Sequence, residues 1–430
     1  MRTFDVFIGQ TLAGQLVEGA DERIGFRFTD GYLSIAERPL LGQHFEDDLR
    51  RVYTGVGNRL PPFFANLIPE GPVRGVLERS LGVSPGDDLA LLGAVGTDLP
   101  GAIIIRPSGI ASTFDLPPST SAAKPISTGS GVSSEKPLRF SVAGVQMKFS
   151  VLRDAERVVL PAEDEIGQWL VKMDSASYPG LVENEYATME WARAAGFNVP
   201  ECEVRSATVL PPRLRSLNPP GRSVFLIRRY DRDGQQRIHQ EDLAQVIGLY
   251  PACKYGRKND GAECRDVTYD GLVTVLRGIG GKEAYREAIR RLVLMLATGN
   301  SDAHLKNWSL LYASPTLATL APLYDQVAVV AWEGEALRWA LPWGSTRGQA
   351  KRVRVSTFTR LAERLGGSVS ETHALVSETH ALVSKTLSAL VRAWNEAEIA
   401  KLYPAGHADA IRNYWRDDGP LLRPLAAELN

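Results

Sequence analysis

Hydrophobic and polar residues alternate in short runs over the first quarter of the chain. FDVFIG, GFRFTD and GAIIIRP each show the two-residue period of a β-strand, whereas PEGPVRGVLERSLG has helical spacing. Strands mixed with a helix predict a small α+β domain over residues 1–107. Residues 108–137 are rich in Ser, Pro, Thr and Gly and contain few groups to bury, which predicts a flexible linker or long loop.

Two further regions follow, and their patterns differ. Over residues 138–235, LRFSVAGVQMKFSVLR predicts two strands joined by a glycine turn, and WLVKM and SVFLIRRYD predict two more. Between the last two, ENEYATMEWARAAGF has helical spacing. From residue 236 to residue 430 the spacing is mainly helical. A sheet-rich lobe followed by a large helical lobe predicts a two-lobed α+β fold.

A tandem duplication lies late in the chain, where SETHALV occupies 370–376 and again 377–383. Because seven residues fall about 20° short of two full helical turns, the duplication nearly preserves the buried face of one long core helix. His373 and His380 are then predicted to be surface residues, and a metal site at these histidines is the less favoured alternative. The predicted buried positions are Leu375, Val376, Leu382 and Val383.

Composition narrows the functional classes. The 430-residue chain is 44% hydrophobic and 23% charged, and its net charge of −1 provides no overall basic field for nucleic acid. The basic residues within 347–360 are interpreted as a solvated face, with direct DNA contact as the alternative. No signal-peptide pattern opens the chain, and no apolar run approaches the roughly 20 residues that cross a bilayer. We therefore expect a cytoplasmic protein without a membrane partner.

The cysteines point the same way. Cys202, Cys253 and Cys264 are too few and too scattered to predict a disulfide framework or a zinc site. A reducing compartment fits this usage.

One late segment points most directly to chemistry. An apolar helix predicted over about 284–298 ends at Gly299, a loop then presents Asp302 with Asn307 five positions later, and a hairpin delivers Asp325. Phosphoryl transfer requires a carboxylate beside the attacking hydroxyl and oxygen ligands for Mg²⁺. The order of helix, D-x-x-x-x-N loop, hairpin and second Asp matches a protein-kinase catalytic loop and metal site. A polar loop whose Asp and Asn only cap turns is the less favoured alternative.

The residue types suggest how such a site divides the work. Asp302 would take the proton of the acceptor hydroxyl, while Asn307 and Asp325 would hold Mg²⁺ against the phosphates. His304 and Lys306 lie in the same loop, so either one is a candidate to offset charge that develops on the transferred group.

Lys172 lies in the middle of the apolar run WLVKM, where a lysine needs a partner. Kinases place a phosphate-binding lysine on such a strand and pair it with a helical glutamate. Glu183 and Glu185 begin the next predicted helix and are the candidates. The alternative is a lysine on the exposed face of an edge strand.

Two other segments are weaker candidates for nucleotide contacts. SVAGVQMK at 141–148 places one glycine among small residues, but it matches neither Walker A nor a kinase GxGxxG. In FLIRRYD, the backbone near Arg228 is a candidate to meet adenine, with Tyr230 packing nearby and Asp231 reaching ribose or phosphate. Core packing at the end of a strand is an equal alternative.

These segments together resemble the HipA family of bacterial type II toxin–antitoxin kinases. RFSVAGVQMK is similar to the family's phosphate-loop motif, RRYDR and HQEDLAQVIGL to the segment after its hinge, and GNSDAHLKNWS with LAPLYD to its catalytic and metal motifs. NLIPEGPVR and LLGAVGTDLPGAI are similar to the small domain that precedes the kinase. The resemblance runs nearly end to end and implies a HipA-like two-lobed fold related to protein and phosphoinositide kinases.

The resemblance also implies a role for each matched residue. Asp302 is implied as the catalytic base, Asn307 and Asp325 as Mg²⁺ ligands, Lys172 as the contact to the ATP phosphates, and Ser141 as a regulatory autophosphorylation site. A phosphate on Ser141 would add nearly two negative charges to a loop meant to hold phosphate, and so expel the loop and switch the enzyme off. The other candidates for nucleotide contact are Val142, Ala143, Gly144, Val145, Gln146, Lys148, Arg228, Tyr230, Asp231, His304 and Lys306.

The implied function is an ATP- and Mg²⁺-dependent serine/threonine kinase toxin. Family members phosphorylate a translation component, typically an aminoacyl-tRNA synthetase, and so arrest growth and promote persistence. The implied partners are a helix-turn-helix antitoxin of the HipB type and, through it, operator DNA. Two alternatives stay open: a small-molecule or lipid kinase of related fold, and a catalytically silent nucleotide-binding corepressor.

Overall fold

The segment predicted as a linker is partly packed onto the N-terminal sheet. Phe114 is buried, and the side chain of Leu116 lies so close to Gly25 that a Cβ atom there would collide with it. Apolar side chains within 108–137 thus find partners that the polar composition hid. Apart from residues 108, 109, 114 and 116, this range lies outside the described residues. The computed structural model describes residues 2–109, 114, 116, 147–154, 157–161, 165–219, 221–256, 264–314, 317–333, 338–344, 353–417, 421–423 and 427.

A five-stranded antiparallel sheet builds the N-terminal unit, which we define as residues 2–107. Its strand order is β4-β3-β2-β1-β5. In the first strand Phe4, Val6 and Ile8 are buried and the residues between them are half-buried, as the alternation in FDVFIG predicts. The strands are β1 (Thr3–Ile8), β2 (Thr11–Glu18), β3 (Ile24–Phe28), β4 (Tyr53–Thr54) and β5 (Ile103–Pro107).

Four helices complete the N-terminal unit. The predicted helix in PEGPVRGVLERSLG is present and ends at Gly82, whose φ of 65° is the left-handed conformation that glycine adopts at least cost. Phe26, Phe45, Phe63 and Phe64 are fully buried and pack ring against ring beside the sheet. The helices are α1 (Asp30–Leu33), α2 (Pro62–Ala65), α3 (Gly71–Leu81) and α4 (Asp88–Val95).

A second five-stranded sheet, in the order β7-β6-β8-β10-β9, forms the sheet-rich lobe. WLVKM is its central strand, so the prediction of a buried strand is confirmed and the edge-strand alternative is wrong. One helix packs on this sheet through Val182 and Met189, which contact Phe225 and Ile227. The elements are β6 (Lys148–Asp154), β7 (Arg157–Val159), β8 (Trp169–Met173), α5 (Leu181–Ala194), β9 (Cys202–Ser206), α6 (Pro212–Arg215) and β10 (Ser223–Arg228).

The remaining chain is largely helical, as predicted, and includes a small sheet in the order β13-β14-β15. The helix predicted over about 284–298 belongs to a longer element that breaks at Gly281, where φ is 65° and ψ is −152°. The elements are β11 (Arg232–Asp233), β12 (Gln236–Arg237), β13 (His239–Asp242), α7 (Leu243–Val246), α8 (Tyr269–Thr298), β14 (Ser309–Ser314), β15 (Leu317–Leu320), α9 (Val330–Glu333), α10 (Val355–Leu365), α11 (Val369–Glu396) and α12 (His407–Asp417).

The SETHALV duplication forms part of α11, a helix of 28 residues, which confirms the predicted extended helix. The structure buries Leu375 and Val383 and packs Val376 and Leu382 against the same core, while His373 and His380 are exposed as predicted. Thr379 lies between the two buried positions and is also buried, with its hydroxyl bonded to the carbonyl of Leu375. The four-residue steps 375, 379 and 383 keep one face of the helix inward.

The cysteines correct one expectation. Cys253 and Cys264 are joined in a disulfide with a Cα–Cα distance of 5.4 Å, while Cys202 is free and half-buried. A low cysteine count excludes a framework of several bridges, but a single bridge needs only two thiols that the fold brings together. Among the described residues, no helix has both the length and the apolar composition that crossing a bilayer requires. Of the basic segment, Arg354 and Arg360 are described and both are exposed.

Candidate functional site

The loop that carries Asp302 begins where α8 stops. Gly299 adopts the left-handed conformation with φ of 61° and caps the helix through its N–H to the carbonyl of Leu296, so the predicted helix end is confirmed. Asp302 follows as an exposed side chain facing the cleft between the lobes. A single 3₁₀ turn, Leu305–Asn307, then leads into β14. The end of a buried helix thus projects one carboxylate into the cleft.

Asp325 lies on the other side of this loop. It follows β15 and has a φ of 51°, a conformation that few non-glycine residues adopt and that is often found at functional sites. Asn307 Nδ2 donates to Asp325 Oδ2 at 3.4 Å. The hairpin between β14 and β15 therefore brings Asn307 and Asp325 together, although eighteen positions separate them in the sequence.

Lys172 reaches the same point from β8 in the sheet-rich lobe. Its Nζ donates to Glu185 Oε1 at 2.5 Å and also contacts Asp325 Oδ1. The predicted need for a helical glutamate is confirmed, and of the two candidates Glu185 is the partner while Glu183 is not. Burial disfavours the ammonium ion, but the charges of Asp325 and Glu185 outweigh it and raise the pKa of Lys172 well above its ordinary value. The lysine therefore stays cationic at any physiological pH.

A second lysine lies beside Lys172. Lys148 pairs with Lys172 across β6 and β8, and its Nζ lies 4.0 Å from Asp325 Oδ2. Burial lowers the pKa of Lys148, and the positive charge of Lys172 adds to that effect while Asp325 opposes it. Burial alone would raise the pKa of Asp325, yet Lys172 and Lys148 hold it well below its usual value. One carboxylate shared by two lysines is thus ionised, and both lysines line the cleft.

The two candidates between Asp302 and Asn307 occupy different environments. Burial, reinforced by the charge of Lys254, lowers the pKa of His304 to about 3. His304 lines the cleft, and its role beside the transferred group stays a prediction. Lys306 is buried with its Nζ 3.1 Å from Glu70 Oε1 and 3.1 Å from the carbonyl and amide oxygens of Asn66. Lys306 is therefore tied to the N-terminal unit.

The segment after β10 divides between the cleft and the N-terminal unit. Arg228 is exposed at the cleft, and Tyr230 lines it with its hydroxyl donating to Gln240 Oε1 at 2.5 Å. The carboxylate of Asp231 is engaged by Arg229 and Arg232 and by the backbone N–H of Gly101, at distances between 2.8 and 3.0 Å.

Both carboxylate oxygens of Asp231 already accept hydrogen bonds from arginine side chains. Burial would raise the pKa of Asp231, but Arg229 and Arg232 hold it far below its ordinary value. Asp98 of the N-terminal unit joins the same arginines, at 2.9 Å from Arg229 and 3.3 Å from Arg232. Asp231 therefore takes part in an interface between the segment after β10 and the N-terminal unit. It also lines the cleft, so its contact with ribose or phosphate stays a prediction.

The predicted phosphate loop lies outside the described residues from Ser141 to Gln146; Met147 and Lys148 follow it at the wall of the cleft. The cleft has a volume of about 1160 Å³. Within the part of the chain that the structure describes, His, Cys, Asp and Glu side chains form no cluster of three that would hold a metal on their own.

The donor set nonetheless fits Mg²⁺ and a nucleotide. Mg²⁺ that is shared with nucleotide phosphates needs only one or two protein carboxylates, and it prefers oxygen ligands such as those of Asp325 and Asn307. Asn307 Oδ1 accepts the N–H of His304 at 3.0 Å and, as an amide oxygen, has a second lone pair. Lys172 supplies positive charge for phosphates, and Lys148 lies beside it at the cleft. When bound, Mg²⁺ would neutralise charge on the transferred phosphoryl group.

Several residues of the site carried no role in the sequence interpretation. Tyr255 donates its hydroxyl to Asp302 Oδ1 at 3.0 Å, and Glu70 lies between Lys254 and Lys306. Glu70 belongs to NLIPEGPVR, a segment that resembles the family, but no local pattern predicts that Glu70 meets Lys254. Asn184, beside Glu185, holds the backbone of Ala328 after Asp325.

Phosphoryl transfer in two-lobed kinases is shared between a lysine–glutamate pair on one lobe and a catalytic loop on the other, and this fold is of that kinase class. The chain belongs to the HipA family. Residues 4–106 match the HipA N-terminal domain, and residues 140–394 match the HipA-like C-terminal domain.

Named relatives agree with this assignment. A Sinorhizobium fredii protein named provisionally as a kinase, Y4dM, is 36% identical over 73% of this chain and 74% of its own length. The serine/threonine-protein kinase toxin HipA of Shewanella oneidensis is 28% identical over 74% of this chain and 78% of its own. The solved structure of HipA from Shewanella oneidensis MR-1, in a complex with HipB and operator DNA, has a TM-score of 0.68 at 23% identity and covers 99% of this chain and 96% of that one. This last likeness shows the two-lobed fold.

Proposed function

We propose that this chain is an ATP- and Mg²⁺-dependent serine/threonine protein kinase that acts as a toxin. The observation that carries the proposal is the convergence of Lys172, Asn307 and Asp325 in one cleft that Asp302 also faces. A kinase needs these four functions in one place: a cation for the phosphates, two oxygen ligands for Mg²⁺ and a carboxylate for the acceptor hydroxyl.

Each residue has a defined task in this proposal. Lys172, held by Glu185, binds the ATP phosphates, and Asn307 and Asp325 hold Mg²⁺. Asp302 orients the acceptor hydroxyl and takes its proton as the phosphoryl group is transferred. Asp325 already contacts Lys172, so nucleotide binding would exchange part of this ion pair for contacts to phosphate and metal.

Autophosphorylation of Ser141 is the proposed off-switch, and the family resemblance supports it. Ser141 precedes the loop that would hold the phosphates, and Lys148 ends this segment at the cleft. A phosphorylated serine would compete with ATP for the same two lysines, because both carry phosphate charge to one site. The phosphorylated loop would leave the site, and transfer would stop.

The proposed acceptor is a protein of the translation apparatus, such as an aminoacyl-tRNA synthetase. The proposed partners are a helix-turn-helix antitoxin like HipB and, through it, operator DNA. The Shewanella oneidensis HipA, whose fold this chain shares, is seen in a complex with HipB and its operator DNA. Arg354 and Arg360 are exposed and do not line the cleft. A partner or DNA that bound these arginines would therefore not fill the proposed active site.

The test measures incorporation of labelled phosphate from ATP with Mg²⁺ into the full chain and into a candidate synthetase. Asp302→Asn should lower the rate by roughly 10²- to 10⁴-fold, the range for loss of a general base, and Asp325→Asn should abolish it. Asp409→Asn, in an exposed pair with Arg412, is the matched control and should match the wild type. Equal labelling in all four proteins would refute the proposal.

Two further readouts assign the acceptor and the switch. Intact mass of the wild type should show one added phosphate that Ser141→Ala lacks, and an unmodified wild type under conditions of active transfer would exclude the switch. Transfer to a metabolite or lipid, with none to any protein, would replace a protein kinase with a small-molecule kinase of the same fold.

A further inference from the structure

Tyr255 contacts the carboxylate that the proposed mechanism uses as its base. Its hydroxyl lies 3.0 Å from Asp302 Oδ1 and donates to it. Burial, followed by the charge of Asp302, raises the pKa of Tyr255 far above its usual value, so the phenol keeps its proton. A carboxylate at the end of a loop turns about its side-chain bonds unless a donor holds it, and Tyr255 supplies such a donor.

The ring of Tyr255 is itself held on two sides. Lys254 Nζ lies 5.6 Å from the ring centroid, and the imidazole of His304 packs edge-on at 5.3 Å. The backbone is fixed as well, because the N–H of Leu305 donates to the carbonyl of Lys254 at 3.1 Å. The segment with Tyr255 and the loop with Asp302 therefore form one hydrogen-bonded assembly.

One carboxylate from the N-terminal unit joins this assembly from outside. Glu70 Oε2 lies 3.3 Å from Lys254 Nζ, and Glu70 Oε1 lies 3.1 Å from Lys306 Nζ. All three side chains are largely buried, so the pairs are weakly screened by water. Burial alone would raise the pKa of Glu70, but the charges of Lys306 and Lys254 outweigh burial and lower that pKa. Glu70 is thus an anion that pairs with two lysines at once. One is Lys254, the residue before Tyr255, and the other is Lys306 in the catalytic loop.

We propose that Glu70, Lys254 and Tyr255 are positioning residues for Asp302, so that the N-terminal unit completes the active site of the kinase. The inference rests on the proposed function, since it assigns Asp302 the role of base. Tyr255 sets the orientation of the Asp302 carboxylate, and Glu70 sets the position of Tyr255 through Lys254. Transfer of the phosphoryl group then depends on a side chain more than 200 positions away from Asp302 in the sequence.

We call Glu70, Lys254 and Tyr255 the relay. It acts on the transfer step and does not contribute to nucleotide binding. Among the residues that the structure describes, no hydrogen bond or ion pair joins Lys172, Asn307 or Asp325 to Glu70 or Tyr255. Asp325 instead binds both Lys172 and Asn307. Loss of the relay should therefore slow transfer at saturating ATP while the ATP concentration for half-maximal rate stays within about twofold. A general loss of structure would change both quantities together.

The experiment compares full-length Tyr255→Phe, Glu70→Gln and the double variant by phosphate incorporation into the chain from labelled ATP. Tyr255→Phe keeps the ring and removes only the hydroxyl, and it should slow transfer roughly 10- to 100-fold, as expected when a reacting group is misplaced. Glu70→Gln keeps the shape and removes the charge, and it should slow transfer by a smaller factor. The double variant should lose less than the product of the two single losses, because both changes act on the position of Tyr255.

Tyr53→Phe is the matched control for the hydroxyl, since Tyr53 donates to the carbonyl of Asp48 at 2.8 Å in the N-terminal unit. It should leave the rate unchanged. A wild-type transfer rate in Tyr255→Phe would overturn the relay. So would a loss in the double variant equal to the product of the two single losses. In either case an inactive Asp302→Asn would still support the proposed function. A wild type that transfers no phosphate would instead end the proposed function itself.

Discussion

Asn184 on α5 accepts the backbone N–H of Ala328 at 2.8 Å through its Oδ1. Its Nδ2 lies 3.0 Å from His407 Nδ1 on α12, and the residue beside it on the helix, Glu185, binds Lys172. One turn of α5 therefore connects the lysine of the sheet-rich lobe to the segment that follows Asp325. A shift of this helix would move the lysine and the metal-binding segment together.

We expect Asn184→Ala to weaken both stability and transfer. The change leaves the buried N–H of Ala328 and the ring of His407 without their partner, which costs about 2–3 kcal/mol. Urea unfolding measures the loss of stability, and phosphate incorporation measures transfer. Asn413→Ala, at an exposed asparagine that pairs with Arg416, is the control and should change neither. A wild-type urea midpoint in Asn184→Ala would show that the contact is dispensable.

Glu185→Gln tests the buried pair with Lys172. Both side chains are almost wholly inaccessible, so an amide in place of the carboxylate leaves Lys172 with Asp325 as its main counter-charge. Breaking a buried pair in this way costs on the order of 3–5 kcal/mol. Lys172 should then follow Asp325, and the ATP concentration for half-maximal transfer should rise. An unchanged ATP requirement would separate Glu185 from phosphate binding.

Asp98→Asn tests the interface between the N-terminal unit and the segment after β10. Asp98 and Asp231 balance the charges of Arg229 and Arg232, and all four side chains are at most 5% exposed. Loss of one carboxylate leaves two guanidinium groups against one anion, so the free energy of unfolding should fall by about 3–5 kcal/mol. Glu398→Gln, in an exposed pair with Lys401, should change it little. Equal urea midpoints for both variants would contradict the assigned role of the network.

Local signals predicted the parts of the site that depend on one strand or one helix end. A lysine inside WLVKM must find a buried partner, and a glycine after an apolar helix must end it; both hold in β8 and at Gly299. Pairings between distant segments gave no such signal. Glu70 meets Lys254 only because the N-terminal unit folds against the helical lobe.

The charge partners of two candidate residues were only partly visible in the sequence. Asp231 is flanked by Arg229 and Arg232, and a carboxylate between arginines finds its charge partners before any ligand arrives. The pKa of His304 depends on its burial and on the lysines around it, which its place in the loop does not show. Charge roles therefore need the three-dimensional neighbours of a group, while strand and helix limits need only its sequence neighbours.

Glu241 provides a pH-dependent link between the N-terminal unit and the helical lobe. It is fully buried on β13, where it accepts the N–H of Gln43 at 3.1 Å and the hydroxyl of Tyr312. Burial raises the pKa of Glu241 to about 8, although the bonds from Tyr312 and Gln43 act in the opposite direction. Because the unfolded chain has a glutamate pKa of about 4.3, the folded protein keeps a proton that the unfolded chain releases.

The difference between the folded and unfolded pKa of Glu241 makes stability depend on pH. Between about pH 4.5 and pH 8 the folded state binds more protons than the unfolded state, so the contribution of Glu241 is fully present below this window and declines as the pH rises. Glu241→Gln does not titrate and should gain on the order of 2–4 kcal/mol relative to the wild type from pH 5 to pH 8.5. Urea unfolding at both pH values measures this, with Glu363→Gln, at an exposed position on α10, as the control that gains nothing. Parallel stability curves for wild type and Glu241→Gln would mean that Glu241 titrates at an ordinary pH and that the contact with Gln43 is made by a carboxylate.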